Sequence, residues 1–157
     1  MSMRILALDV GERRVGIAIS DLTGALARPL QALTRSSREE DFAAIATIVA
    51  EHDVELIVVG QPLSLDGGVG PQARQVARYA EALAERLSVQ IVMWDERFTT
   101  MEAEEILRQR RSEKKRRQAR ASGELDAIAA AVILQSYLDS HYLDDRYHEP
   151  APPPDDI

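Results

Sequence analysis

Two apolar runs that each stop on a carboxylate constrain this chain most. The first is Ile5-Leu6-Ala7-Leu8-Asp9-Val10-Gly11 and the second is Ile91-Val92-Met93-Trp94-Asp95-Glu96-Arg97. Each reads as a buried strand with an acid at its end. An ionised carboxylate beside a core is costly unless opposite charge or hydrogen bonds compensate it. Two such strands side by side would bring their carboxylates together, and a divalent metal is one natural compensator. The pattern points to metal-dependent chemistry on a negatively charged substrate.

The segments between these runs supply the rest of an α/β domain. Residues 4–10 and 14–20 read as two strands joined by a tight turn at Gly11, hence a hairpin. Residues 25–33 read as a weaker third strand, with Pro29 marking a sheet edge where a missing donor is tolerated. Ser37-Arg38-Glu39-Glu40 fits a capping box, and Phe42, Ile45, Ala46 and Val49 follow at helical spacing. Glu55 to Gly60 is a short buried strand. A Gly- and Pro-rich loop then leads into a helix ending near Leu87, and Val89 to Trp94 is the fifth strand. Thr99 to Glu102 offers another capping box, opening a helix to about Arg110. The last helix follows Gly123, with Leu125, Ile128, Ala129, Val132 and Ile133 as its apolar stripe. Three strands with short connections make an antiparallel meander, and strands reached through helices favour parallel pairing. The expected product is a mixed five-stranded sheet with helices on both faces. Ligands then gather at the strand carboxyl ends, where Asp9, Gly60, Asp95 and Glu96 fall.

At 157 residues the chain is expected to form one domain, over residues 1–142. Residues 143–157 are acidic and Pro-rich and read as a disordered tail. With no cysteine, thiol catalysis, thiolate metal sites and disulfides are excluded. The first apolar run is short and holds Asp9, so no signal peptide is expected, and no run is long enough for a membrane helix. A cytoplasmic protein fits these features. The net charge of −7 is unevenly spread. Residues 108–120 carry eight basic residues and one acid, leaving −14 on the remainder. A local patch of this kind can bind phosphates whatever the total charge.

Each candidate has a plain structural role to set beside its functional one. Asp9 is a metal ligand, or it caps the turn at Val10-Gly11-Glu12. Asp95 and Glu96 alternate in direction, so one of them should face a site. Asp126 lies in the first turn of the last helix, where it also suits the helix dipole. Small residues at 129–131 would let that helix approach the sheet and bring Asp126 toward Asp9. Gly11 and Gly16 would let backbone approach a phosphate. The loop from Gly60 to Pro71 could bind phosphate at a helix N-terminus, but it lacks the Lys-Ser/Thr ending of a P-loop. The three histidines are scattered and form no site.

Four motifs together resemble the YqgF (RuvX) family: Asp9-Val10-Gly11-Glu12-Arg13-Arg14-Val15-Gly16-Ile17-Ala18, then Gly60-Gln61-Pro62-Leu63-Ser64-Leu65-Asp66-Gly67 with Gly70-Pro71, then Asp95-Glu96-Arg97-Phe98-Thr99-Thr100, then Leu125-Asp126-Ala127-Ile128-Ala129-Ala130. They span about residues 4–139 in order. The resemblance implies a ribonuclease H-like fold with strand order 3-2-1-4-5, related to Holliday-junction resolvases. It implies a nuclease maturing the 5′ end of pre-16S rRNA, and so a partner in the ribosome or its precursors. Carried over by motif position, Asp9, Glu96 and Asp126 are the acidic triad, catalytic and metal-binding. Glu96 is preferred to Asp95 because the glutamate is the acid shared with more distant relatives. Gln61 stands where an apolar residue is usual. Ala129 and Ala130 stand where related resolvases carry a second carboxylate, which implies one metal ligand fewer.

The resulting expectation is a Mg²⁺- or Mn²⁺-dependent phosphodiesterase, with one or two ions, acting on structured nucleic acid. Magnesium keeps several waters, so a few carboxylates suffice. One ion would activate a water and another would stabilise the leaving oxygen. Arg13, Arg14, Arg97, Arg110, Arg111, Lys114, Lys115, Arg116 and Arg117 would hold phosphates, giving affinity rather than base reading. Branched DNA is the alternative substrate. A sugar-kinase or ATPase reading shares the first Asp-x-Gly motif but needs two domains, more than this length holds. A non-catalytic nucleic-acid or ribosome-associated module on the same fold is the other rival.

Overall fold

The computed structural model describes residues 4–64, 66–96 and 123–147, with side chains as far as residue 141. The elements are β1 (Arg4–Val10), β2 (Arg14–Ser20), β3 (Ala27–Thr34), α1 (Arg38–Glu51), β4 (Val54–Gln61), α2 (Pro71–Arg86), β5 (Gln90–Asp95) and α3 (Glu124–Tyr147). The sheet order is β3-β2-β1-β4-β5, as expected. β1 and β2 form the hairpin, with Leu8 opposite Ile17 and Asp9 opposite Gly16. The Gly11 N–H closes the turn on the Arg14 carbonyl at 2.9 Å. A side chain at Gly11 would meet that same carbonyl. β4 joins β1, and β5 joins β4, in parallel.

β3 lies at one edge, and its register against β2 slips by one residue beside Pro29. The ring can make no ladder bond there, so an edge position and a bulge absorb it. β5 is the other edge. It is half-buried along most of its length, not the fully buried strand its apolar run suggested. An edge strand has a neighbour on one side only.

The two sheet faces carry separate cores. Leu6, Leu8, Val10, Ile57 and Val59 pack with Phe42 and Ile45 of α1 and with Val76, Tyr79 and Leu83 of α2. Ile5, Ala7, Leu56 and Val58 pack with Ala130, Ile133, Leu134, Tyr137 and Leu138 of α3. Alternation along β1 therefore sends Leu8 and Val10 to one layer and Ala7 and Asp9 to the other. α1 begins at Ser37, whose side chain accepts the Glu40 N–H at 3.1 Å. The reciprocal half of the capping box is altered, because Glu40 accepts from the Ser36 hydroxyl instead.

α3 differs from expectation in two ways. Its buried residues are Ala127, Ala130, Val132, Ile133, Leu134, Tyr137 and Leu138; of the expected stripe Val132 and Ile133 are buried, while Leu125, Ile128 and Ala129 are only half-buried. Residues 127–134 of the helix are apolar on every side, so the sequence left its facing open there. It also runs past residue 142 to Tyr147. The expected helix at 99–110 and the basic stretch at 108–120 lie outside the described residues. Among the described residues no helix is long and apolar enough to cross a membrane.

Candidate active site

Asp9 is the last inward-facing residue of β1 before the hairpin turn, on the α3 face of the sheet. Glycines flank it on both neighbouring strands. Gly16 is its partner on β2. Gly60 on β4 lies one residue beyond Val59, the partner of Leu8. A Cβ at Gly16 would stand 1.9 Å from the Asp126 carbonyl oxygen, so the first turn of α3 rests directly on that glycine. A Cβ at Gly60 would stand 2.5 Å from Glu96 Oε1 and 2.6 Å from Ile133 Cδ1. One glycine therefore seats α3, and the other leaves room for the Glu96 carboxylate beside Asp9.

Glu96 follows the last residue of β5, Asp95, which pairs with Gln61. Its carboxyl is hydrogen-bonded to that of Asp9. Burial raises Asp9 above the usual carboxylate range; the bond to Glu96 opposes this, and the Asp126 charge adds to it. Burial also pushes Glu96 up to about 8, reinforced by the Asp9 charge, by their shared hydrogen bond and by Asp95. Burial and their mutual charge thus both favour keeping a proton on the pair. Two desolvated carboxylates that retain a proton form a strong cation site once that proton leaves.

Asp126 is near enough to raise Asp9, yet its carboxylate is taken by Arg14, whose Nε–H donates to Oδ2 at 2.8 Å. Both side chains are about one-third exposed. The structure thus brings together Asp9 and Glu96 and leaves Asp126 at the margin in an ion pair. No three His, Asp or Glu residues among the described ones form a ready metal cluster. Oxygen donors alone suit a hard divalent ion such as Mg²⁺ or Mn²⁺. Asp9 and Glu96 fit that role as they stand, and Asp126 joins only by giving up its bridge to Arg14.

Three sequence expectations change here. Gly16 admits the backbone of α3, not a phosphate. Gly16 shares the close approach with Ala130, which is fully buried against the sheet, whereas Ala129 and Ala131 are half-buried. Arg14 is committed to Asp126, so its charge is already half spent. Arg13 is exposed on the hairpin turn. Arg97, Arg110, Arg111, Lys114, Lys115, Arg116 and Arg117 lie outside the described residues. The loop after β4 is closed largely on itself. The Ser64 N–H donates to the Gly68 carbonyl at 3.0 Å, and the Gly68 N–H donates to Asp66 Oδ1 at 2.8 Å. Trp94 packs edge-to-face on Tyr137 and donates its indole N–H to Ser136 at 3.2 Å, a core role.

A family described as "RuvX: Holliday junction resolvase" matches residues 3–140. The chain belongs to the RuvX family. Its curated relatives include a protein of Thermoanaerobacter pseudethanolicus, 44% identical over 140 residues, covering 88% of this chain and 97% of the relative. Another, from Syntrophus aciditrophicus, is 45% identical over 138 residues, covering 88% and 89%. Both bear the name "Putative pre-16S rRNA nuclease". Among solved structures, T. thermophilus RuvC in complex with a Holliday junction substrate matches with a TM-score of 0.53 at 13% identity, covering 89% of this chain and 96% of that one. Fowlpox virus resolvase, also with Holliday junction DNA, matches at 0.55 and 13%, covering 88% and 99%. These likenesses fix the RuvX chain as a RuvC-like, ribonuclease H-type fold.

Proposed function

We propose that the chain is a metal-dependent endonuclease that hydrolyses phosphodiester bonds in structured nucleic acid, with the 5′ region of pre-16S rRNA as its substrate. One observation carries the reading: two half-buried carboxyl groups, Asp9 and Glu96, are hydrogen-bonded to each other at the carboxyl end of the sheet, in the notch left by Gly60. A structural carboxylate pair has no need of that notch. The names of relatives above 40% identity support the RNA substrate. The family description supports a branched DNA substrate as the alternative.

Asp9 and Glu96 would hold one or two Mg²⁺ or Mn²⁺ ions, with Asp126 as the third acid. When bound, such an ion supplies charge stabilisation at phosphoryl oxygens and makes a water more acidic. Glu96 must lose its proton for this, and the ion's charge favours that loss. Arg14 would then be freed from Asp126 to meet a phosphate. Arg13, Arg97 and the basic residues from Arg108 to Arg120 would hold flanking phosphates. The setting is the cytoplasm, with the ribosome precursor as partner.

The test is a cleavage panel with pure protein. Substrates are a precursor 16S 5′ segment, a four-way DNA junction and unstructured single strands, each with Mg²⁺, Mn²⁺ or EDTA. Metal-dependent cutting of the precursor, lost in Asp9→Asn, is the expected result. Binding without cutting in any arm would make the protein a non-catalytic module.

A further inference from the structure

A cavity of about 320 Å³ opens at the same end of β1, on the sheet face opposite Asp9. Its floor is the turn of Val10 and Gly11, and Val10 belongs to the α1–α2 core layer. Its charged lining is Arg35, Arg38 and Arg78 against a single acid, Glu12. The arginines come from three places: the link after β3, the start of α1 and the middle of α2. Gln72 and Gln75 complete the wall. With Arg78 they recur every third residue, so α2 turns one face of donors into the cavity.

Arg35 is already ordered. Its Nη1–H donates to the Gly11 carbonyl at 2.8 Å, and its guanidinium lies 5.0 Å from the centre of the Tyr79 ring. Its Nε is 3.9 Å from Asp41, a carboxylate only 2% exposed. A preset arginine binds an anion with little further loss of freedom. Arg38 and Arg78 are exposed and make no hydrogen bond or ion pair among the described residues, so their donors remain available. A merely solvated surface has no reason to gather three cations and two amides around one concavity.

We propose that this cavity holds the phosphate group of a nucleotide. Guanidinium forks and amide N–H groups match phosphate oxygens, and the volume lies at the small end of ligand pockets. The phosphate has two sources: the backbone of the strand being cut, or a free nucleotide. The first rests on the nuclease reading above; the second does not. Two residues along a β-strand cover roughly 7 Å, so a nucleic-acid strand crossing the carboxyl end of the sheet at Asp9 passes within a few nucleotides of Gly11.

The test uses the full chain and the variant Arg38→Gln/Arg78→Gln, which leaves the structural Arg35 in place. Amide NMR titrations use inorganic phosphate, AMP and adenosine. Phosphate and AMP should shift Gly11, Gln72 and Gln75 saturably, adenosine should not, and the variant should bind at least tenfold more weakly. Arg38→Lys/Arg78→Lys should recover part of the affinity. In a second arm, a single-stranded RNA oligonucleotide is bound in EDTA across a salt series. If the strand supplies the phosphate, the variant's log–log slope falls by about 0.7. Loss in the RNA arm assigns the site to the strand, and loss in the AMP arm alone assigns it to a free nucleotide. Unchanged affinity in both arms, or equal shifts from adenosine, would overturn the proposal. Failure of the unmodified protein to cleave would remove the nuclease reading and leave the phosphate titration standing.

Discussion

At the scale of single residues, the proposed chemistry rests on the hydrogen-bonded carboxyl groups of Asp9 and Glu96. Glu96 is raised from 4.5 to about 8 when folded. The unfolded chain therefore loses this proton near pH 4.5, while the folded chain keeps it until about 8. Stability from this group is complete below pH 4.5 and declines as pH rises toward 8. Asp9, also raised, acts in the same direction. Urea unfolding of metal-free protein at pH 5, 6.5 and 8 should show falling stability, and Glu96→Gln should flatten most of that slope. A rise in stability with pH, cancelled by the same variant, would reverse the proton assignment.

The same pair yields two activity predictions. Asp9→Asn should abolish cleavage and also remove any rise in Tm on adding Mn²⁺, while its metal-free Tm stays level or rises as carboxylate repulsion is relieved. Glu96→Gln should impair cleavage far more than Asp95→Asn, because Glu96 is the acid bonded to Asp9. An inactive Asp95→Asn enzyme beside an active Glu96→Gln enzyme would move the catalytic role to Asp95.

At the scale of elements, the two glycines decide what the strands and α3 can do. Gly16→Ala puts a methyl group against the Asp126 backbone carbonyl, which cannot swing aside as a side chain can. The helix must lift from β2, at a cost of about 3 kcal/mol. For a chain of this size that is a fall in Tm of roughly 6–12 °C, readable by calorimetry. Gly60→Ala instead meets two side-chain ends, Glu96 Oε1 and Ile133 Cδ1. Its stability loss should be smaller and its activity loss larger, on the order of 10²-fold in kcat, since Glu96 is displaced by about 1 Å. Equal activity in Gly60→Ala and the unmodified enzyme would show that the notch does not position Glu96.

At the scale of the whole molecule, charge is divided between an acidic body and a basic stretch. Changing Lys114, Lys115, Arg116 and Arg117 to Gln should weaken nucleic-acid binding. The log–log salt slope should fall by roughly 0.7–0.9 for each phosphate that these side chains neutralise. Cleavage at saturating substrate should persist, because these residues are outside the proposed acidic triad. Identical slopes for both proteins would mean that phosphates are held elsewhere, with the Arg35–Arg38–Arg78 cavity the next candidate.

Much of this architecture was readable along the chain. The hairpin around Gly11, the edge strand marked by Pro29, the cap at Ser37 and the core strand at β4 follow from local rules: turn chemistry, a missing donor, a capping hydroxyl and an apolar run. Each needs only a few neighbouring residues. The candidate acids Asp9, Glu96 and Asp126 could be named from the sequence only as members of motifs that resemble a family. Their individual roles had equally plain readings as turn and helix-end carboxylates.

Tertiary structure decided what depends on partners far apart in sequence. The unbroken apolar run at residues 127–134 of α3 carries no statement of which side faces the sheet; Gly16 helps set that by accepting the first turn. Two acids 87 positions apart become one hydrogen-bonded pair only because β5 lies beside β4 and Gly60 has no side chain. Arg14 was one cation among several until α3 placed Asp126 2.8 Å from it. Arg35, Arg38 and Arg78 bear no common motif, and only the folding of α1 and α2 onto one face gathers them. Local propensity acts over a few residues, whereas burial and charge pairing act through space, so the strands were written in the sequence and the site was assembled by the packing.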